Sequence, residues 1–120
     1  MNVLARGAIT LTAALLCACP APTPVPSSPP SGGAVVGVAY AHAISTHCGI
    51  VATQFDGREW VADPPLSDGQ GNPPAGWDNP TQGGVMVLLD RDHAEFRAPT
   101  GRTARFRVRV AGDPPVPACD

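Results

Sequence analysis

The residues beyond Gly33 predict an all-β fold. It is a small antiparallel six-stranded meander, closed as a barrel or folded as a sandwich, with one long loop rich in proline and glycine. Three observations predict it. Thr103 to Val110 alternates: Ala104, Phe106, Val108 and Val110 share one face, and Thr103, Arg105, Arg107 and Arg109 the other, the period of a strand covered on one side. Asp56-Gly57 stands between two strand-like runs and is the residue pair that a two-residue type I′ hairpin turn asks for. No stretch after Gly33 combines a helical apolar period with capping residues.

Taken in order, Ala34 to Ser45 is apolar and β-branched enough for a first strand, with Val36, Val38, Tyr40, His42 and Ile44 on one face. Ile50 to Phe55 and Arg58 to Ala62 form the hairpin around Asp56-Gly57. Its register sets Phe55 opposite Arg58 and Thr53 opposite Trp60, with Val51, Phe55 and Trp60 on one surface. Val85 to Leu89 is almost wholly apolar, as befits a strand covered on both faces. Ala94 to Ala98 and Thr103 to Val110 are joined through Pro99-Thr100-Gly101, with proline opening the turn and glycine in the left-handed position. That loop sets Phe96 opposite Ala104, Ala94 opposite Phe106 and Glu95 opposite Arg105. Apolar then meets apolar, and opposite charges meet.

The long loop, residues 63–84, carries Pro64, Pro65, Pro73, Pro74 and Pro80 among glycines and Asx residues. Connections longer than about 15 residues are usually functional or disordered. Trp77 points to order, because a large ring in a loop needs a surface to pack on. An Ω-type excursion is expected.

The N-terminus reads as an address. Arg6 precedes an apolar run from Gly7 to Ala18, too short for the roughly 20 residues of a membrane span and suited to a cleaved signal. Leu16-Cys17-Ala18-Cys19 resembles a bacterial lipobox. The resemblance implies cleavage before Cys19, a diacylglyceryl thioether on its sulfur and fatty acylation (palmitate) of the new amino terminus. Cys17 fits less well, since bulky Leu16 precedes it. The competing reading is an ordinary secretory signal that discards both cysteines. Several acyl chains exceed what stable anchoring requires, so the expected location is exported, on the outer face of the cell membrane. Pro20 to Gly33, all Pro, Ser, Thr, Ala, Val and Gly, is a semi-rigid tether reaching roughly 40 Å. The organisation is therefore a signal peptide over 1–18, a lipidated cysteine and tether over 19–33, and a β domain over 34–120.

Charge excludes one class of partner. The net charge is −2 and the sequence has no lysine, so no basic field for nucleic acid exists. Cys48 and Cys119 remain in the exported domain, and such a pair reads first as a disulfide. The bridge would close a loop of about 70 residues and contribute roughly 4 kcal/mol. The rival reading takes Cys48 with His47 and His42 as metal ligands, without a usual spacing to support it.

Other constellations are weighed against blander readings. Asp68-Gly69-Gln70-Gly71-Asn72 has the look of a calcium loop but lacks its spaced carboxylates, so a plain turn is favoured. His42, His47 and His93 could act as bases with Ser45 or Ser67 as nucleophile, but no nucleophile-elbow or His-Glu-x-x-His pattern occurs. Arg105, Arg107 and Arg109, near Arg97 and Glu95, form either a solvated, ion-paired face or an anion site, and the first is favoured. Trp60, Trp77 and Tyr40 could make a stacking platform for a glycan or part of a core poor in aromatics, with the core favoured. Trp60, Trp77, Asp78 and Asn79 are the candidate binding surface. No metal or cofactor is expected.

Thr46-His47-Cys48-Gly49, Phe55-Asp56-Gly57-Arg58-Glu59-Trp60, Gly71-Asn72-Pro73-Pro74 through Pro80, and terminal Cys119-Asp120 together resemble a group of small uncharacterised actinobacterial lipoproteins and secreted proteins. The resemblance spans nearly all of Tyr40 to Asp120. It implies an exported domain and brings no catalytic residues. The function read from the chain is a lipid-anchored domain that binds or scaffolds an envelope protein or a cell-wall glycan. The rival is a small exported hydrolase or metal-binding protein.

Overall fold

A computed structural model describes residues 32–119 together with Pro26 and Pro29. The expected signal peptide, Cys19 and most of the tether lie outside the described residues. The described chain is all-β, with six strands: β1 (Ala39–Ser45), β2 (Ile50–Phe55), β3 (Arg58–Leu66), β4 (Thr81–Leu88), β5 (His93–Arg97) and β6 (Thr103–Val108). All pairings are antiparallel, and the sheet curls into a half-barrel in the order β1-β4-β5-β6-β3-β2.

Turn chemistry fixes the two hairpins. Asp56 and Gly57 take φ of 56° and 70°, both left-handed as a type I′ turn demands, and Phe55 faces Arg58 while Thr53 faces Trp60. Gly101 takes φ 89°, and β5 meets β6 with Phe96 opposite Ala104, Ala94 opposite Phe106 and Glu95 opposite Arg105. Both registers are those the sequence predicts.

Several boundaries and one register differ from expectation. β1 starts at Ala39, because Val35 to Val38 closes a turn with Gly37 at φ 83° and Val38 N–H bonded to Val35 O. Val36 and Val38 are therefore exposed rather than part of an apolar strand face. β3 runs on through Pro64 and Pro65 to Leu66. Its pairing with β6 ends at Ala62 opposite Phe106, so the prolines withhold no N–H that the ladder uses. The register with β2 shifts between Ile50 and Ala52. This irregularity seats Ile50 in the core and turns Val51 away from Phe55 and Trp60. β4 starts at Thr81, its Gln82-Gly83-Gly84 pairing with His42 to Ile44. β6 stops at Val108, and Val110 is exposed.

The core lies inside the curl and is built on Tyr40, Ile44, Phe55, Trp60, Phe96 and Phe106. Trp60 is 0% exposed, its indole N–H donating to Phe55 O at 2.9 Å, so its polar atom is satisfied where water cannot reach. Met86 and Val87 are both buried on opposite faces of β4, as its continuous apolar run requires. The two edge strands approach one another across the mouth of the curl. There His42 Nε2 and Thr53 Oγ1 are hydrogen-bonded at 2.8 Å, and the imidazole edge meets the Phe55 ring. Burial lowers the His42 pKa below its usual value. The outward Ala41 N–H on β1 donates to Pro26 O at 2.9 Å, so a tether residue occupies part of that edge.

Candidate functional site

A concave, largely apolar surface lies on the face of β3 and β6 opposite the core. Its roof is the C-terminal segment. After Val108 the chain turns within four residues: Asp113 N–H bonds to Val110 O, and the Asp113 carboxylate accepts from Val110 N–H at 2.8 Å. The same carboxylate takes both Arg107 donors at 2.9 and 3.0 Å, the bidentate fork that suits guanidinium and carboxylate. The Arg107 hydrogen bond, helped by the Val110 N–H, holds the Asp113 pKa down to about 2, and Arg107 is raised in return. Arg109 grips Glu59 at 3.3 Å and donates to Pro114 O at 3.2 Å.

Pro114-Pro115-Val116-Pro117 then crosses the sheet without secondary structure of its own, stiffened by three fixed φ angles. It ends at Cys119, disulfide-bonded to Cys48, which stands 71 positions earlier in sequence; the two Cα atoms are 5.9 Å apart, an ordinary separation for a bridged pair. The strap is thus fixed by ions at one end and a covalent bond at the other. Beneath it runs a groove of ≈ 440 Å³, with Val51, Val61 and Pro65 on the sheet side and Pro115, Val116 and Pro117 on the strap side. Asp63 joins the ion cluster at its mouth, 3.8 Å from Arg107. The arrangement can seat a ligand against apolar walls with a few charges at one end, the usual chemistry of a binding cleft.

The long loop is ordered and shorter than expected, spanning 67–80 between β3 and β4. It folds back on the β1–β2 turn. Thr46 and His47 N–H both donate to Pro80 O, Cys48 N–H to Gly71 O, and the buried Thr46 hydroxyl to Asp78 O. Trp77 is half-buried against the core, its ring 6.2 Å from that of Phe96. The four residues of the candidate binding surface, Trp60, Trp77, Asp78 and Asn79, therefore do not share one exposed face. Trp60 is inside the curl of the sheet under a cation–π contact with Arg58 at 4.7 Å, and Trp77 leans inward. Asp78 and Asn79 are exposed on the loop.

The other constellations resolve toward the blander readings. Asp68 Oδ1 accepts from Gln70 and Asn72 N–H at 2.7 and 3.2 Å, chiefly the first of which lowers its pKa; this is an Asx turn. Ser67 Oγ accepts from Gly69 N–H within the same turn. His93 is tied to Asp90 at 2.9 Å and His42 to Thr53, so neither is aimed at a serine. The arginine stripe is matched by acids. Arg97 and Arg105 share Glu95 at 2.8 Å each, which lowers the Glu95 pKa, Arg97 first. His47, Cys48 and Cys119 lie together, while His42, the third ligand of the metal reading, faces Thr53.

The groove is what sequence reasoning missed. Asp113-Pro114-Pro115-Val116-Pro117 between a strand and a paired cysteine was the available signal, but where the strap lands depends on the sheet beneath it. No family model, curated protein or solved structure matches the chain.

Proposed function

We propose that this chain is a lipid-anchored cell-envelope protein of the small actinobacterial type, whose β domain binds an extended, apolar segment of another envelope protein. The observation that carries the binding reading is the strapped groove. Its ≈ 440 Å³ lies within the range of specific ligand sites, and fixing both ends of the strap lowers the ordering cost that a loose arm would add on binding. Valine and proline walls favour an apolar peptide over a glycan, which takes its affinity from exposed aromatic faces. Trp60 offers none.

The membrane address rests on the lipobox-like run ending at Cys19. With Pro26 bonded to the edge of β1, the chain between Cys19 and the sheet spans at most about 25 Å when fully extended. The domain would therefore work close to the lipid surface, and an envelope protein is a partner within reach. The test is photo-crosslinking from position 51 or 61 in membranes of the producing cell. A discrete protein adduct, lost in Val61→Arg while the thermal melt is unchanged, supports the reading. Adducts to wall fragments, or none, overturn it. In the same cells Cys19→Ser should release the protein or leave it uncleaved. Unchanged fractionation with an unmodified N-terminus would count against the anchor.

A further inference from the structure

At the covalent end of the strap a third side chain joins the two sulfurs. His47, Cys48 and Cys119 each bring one ligand atom to one place, all within 4.8 Å of one another. The backbone holds them there. His47 N–H is fixed on Pro80 O, Cys48 N–H on Gly71 O with Cys48 at φ 70°, and Cys119 Sγ lies 3.3 Å from His47 O. His47 and Cys119 are exposed and Cys48 half-buried, so a reductant or an ion reaches the cluster from solvent.

We infer that this cluster is a redox-gated metal site: the oxidised chain carries the disulfide, and the reduced chain binds a divalent cation of zinc type through Cys48, Cys119 and His47. The exchange balances with a dithiol as reductant. Its thiolate attacks the exposed Cys119 sulfur, the S–S bond breaks and Cys48 leaves as thiolate. The second reductant thiol then displaces Cys119, and the reductant becomes a disulfide, having given two electrons. The cation replaces the two thiol protons, giving a neutral centre of two thiolates and an imidazole with a fourth position for water. Tetrahedral zinc sets its ligand atoms roughly 3.3–3.8 Å apart. The sulfurs need only part to that spacing, and Cys119 stands at the end of the strap. Either state closes the same chain loop. Only the reduced, metal-free chain releases the strap, so the site gates the groove's roof by redox state and metal supply. The inference stands on the cluster alone and does not depend on what the groove holds.

Cobalt titration of the mature chain tests it. After reduction with a phosphine and removal of the reductant, one Co²⁺ per chain should bind with the intense charge-transfer band of thiolate ligation, displaceable by Zn²⁺. The oxidised chain should show no such band. His47→Ala should weaken cobalt binding at least about tenfold, the least that losing even an outer partner of a ligand brings, and His42→Ala should leave it unchanged. Cys119→Ser should give a weaker band, with one thiolate fewer. Circular dichroism on each sample records whether the sheet persists. Absence of the charge-transfer band from the reduced chain, folded or not, overturns the site. So does a reduced His47→Ala chain that binds cobalt as tightly as wild type.

Discussion

Two segments of this molecule have no regular structure, are rich in proline and lie against the same turn, yet they are held in opposite ways. The loop over 67–80 is fixed by burial: Trp77 packs beside Phe96, and backbone and hydroxyl bonds tie it to Thr46, His47 and Cys48. The strap over 109–119 buries no large side chain and is fixed by the Arg107–Asp113 pair and the Cys48–Cys119 bond. The packing of Trp77 on Phe96 involves no titrating or redox-active group. The anchors of the strap respond to acid and to reductants. A segment meant to stay put is packed; a segment held by charge and sulfur can be let go without unfolding what lies beneath it.

The comparison can be broken at either anchor. The largest effect is expected from Cys48→Ser with Cys119→Ser, which opens a loop spanning 71 positions and should cost about 4 kcal/mol on the chain-entropy account. Urea unfolding measures it. A loss below about 1 kcal/mol would mean that the strap constrains the unfolded chain little. Trp77→Ala should come next. Full burial of a large aromatic is worth about 3–5 kcal/mol on truncation, and half-burial brings the expectation to about 2 kcal/mol. Capture in the groove should survive this change, which separates the loop's role from the strap's. Loss of capture at unchanged stability would instead return binding to the loop.

The smallest effect is acid release of the strap. The folded chain holds Asp113 below its usual 3.8, at about 2, chiefly through Arg107. The stability this carboxylate brings is therefore whole above pH 3.8 and is lost as pH falls toward about 2. Amide shifts of Val110 and Asp113 should titrate in that window, while the Trp77 indole resonance holds. Asp68 also sits below its usual value, so loop amides at Gln70 and Asn72 will respond locally and are poor controls.

The sequence made legible what turn chemistry and face pattern jointly decide. The β5–β6 hairpin could be read residue for residue because Gly101 fixed the turn and Phe96, Ala94, Ala104 and Phe106 then had one register that buried them. The β2–β3 turn was equally readable, but Val51 was not: its departure from the core depends on an irregularity two strands share, next to Asp63-Pro64-Pro65. Gln82-Gly83-Gly84 lacks a strand signature, and it extends only because β1 supplies a ladder. Cys48 and Cys119 are bonded to each other, as the sequence reading expected. The groove was illegible because Val51, Val61 and Val116 meet only after the sheet curls. Trp60 is in the core, the reading favoured over a glycan platform, and the bond from its N–H to Phe55 O lets the whole ring be buried.

Backbone ¹⁵N relaxation on the chain, oxidised and then reduced under a chelator, tests most directly that strap and loop are independent segments with different anchors. In the oxidised chain Val116 and Ala118 should match Gly76 to Asn79, all with order parameters near the rigid value of about 0.85. On reduction without metal the strap residues should fall below about 0.6 while Gly76 to Asn79 stay rigid. A strap that stays rigid when reduced, or a loop that loosens along with it, would contradict the account.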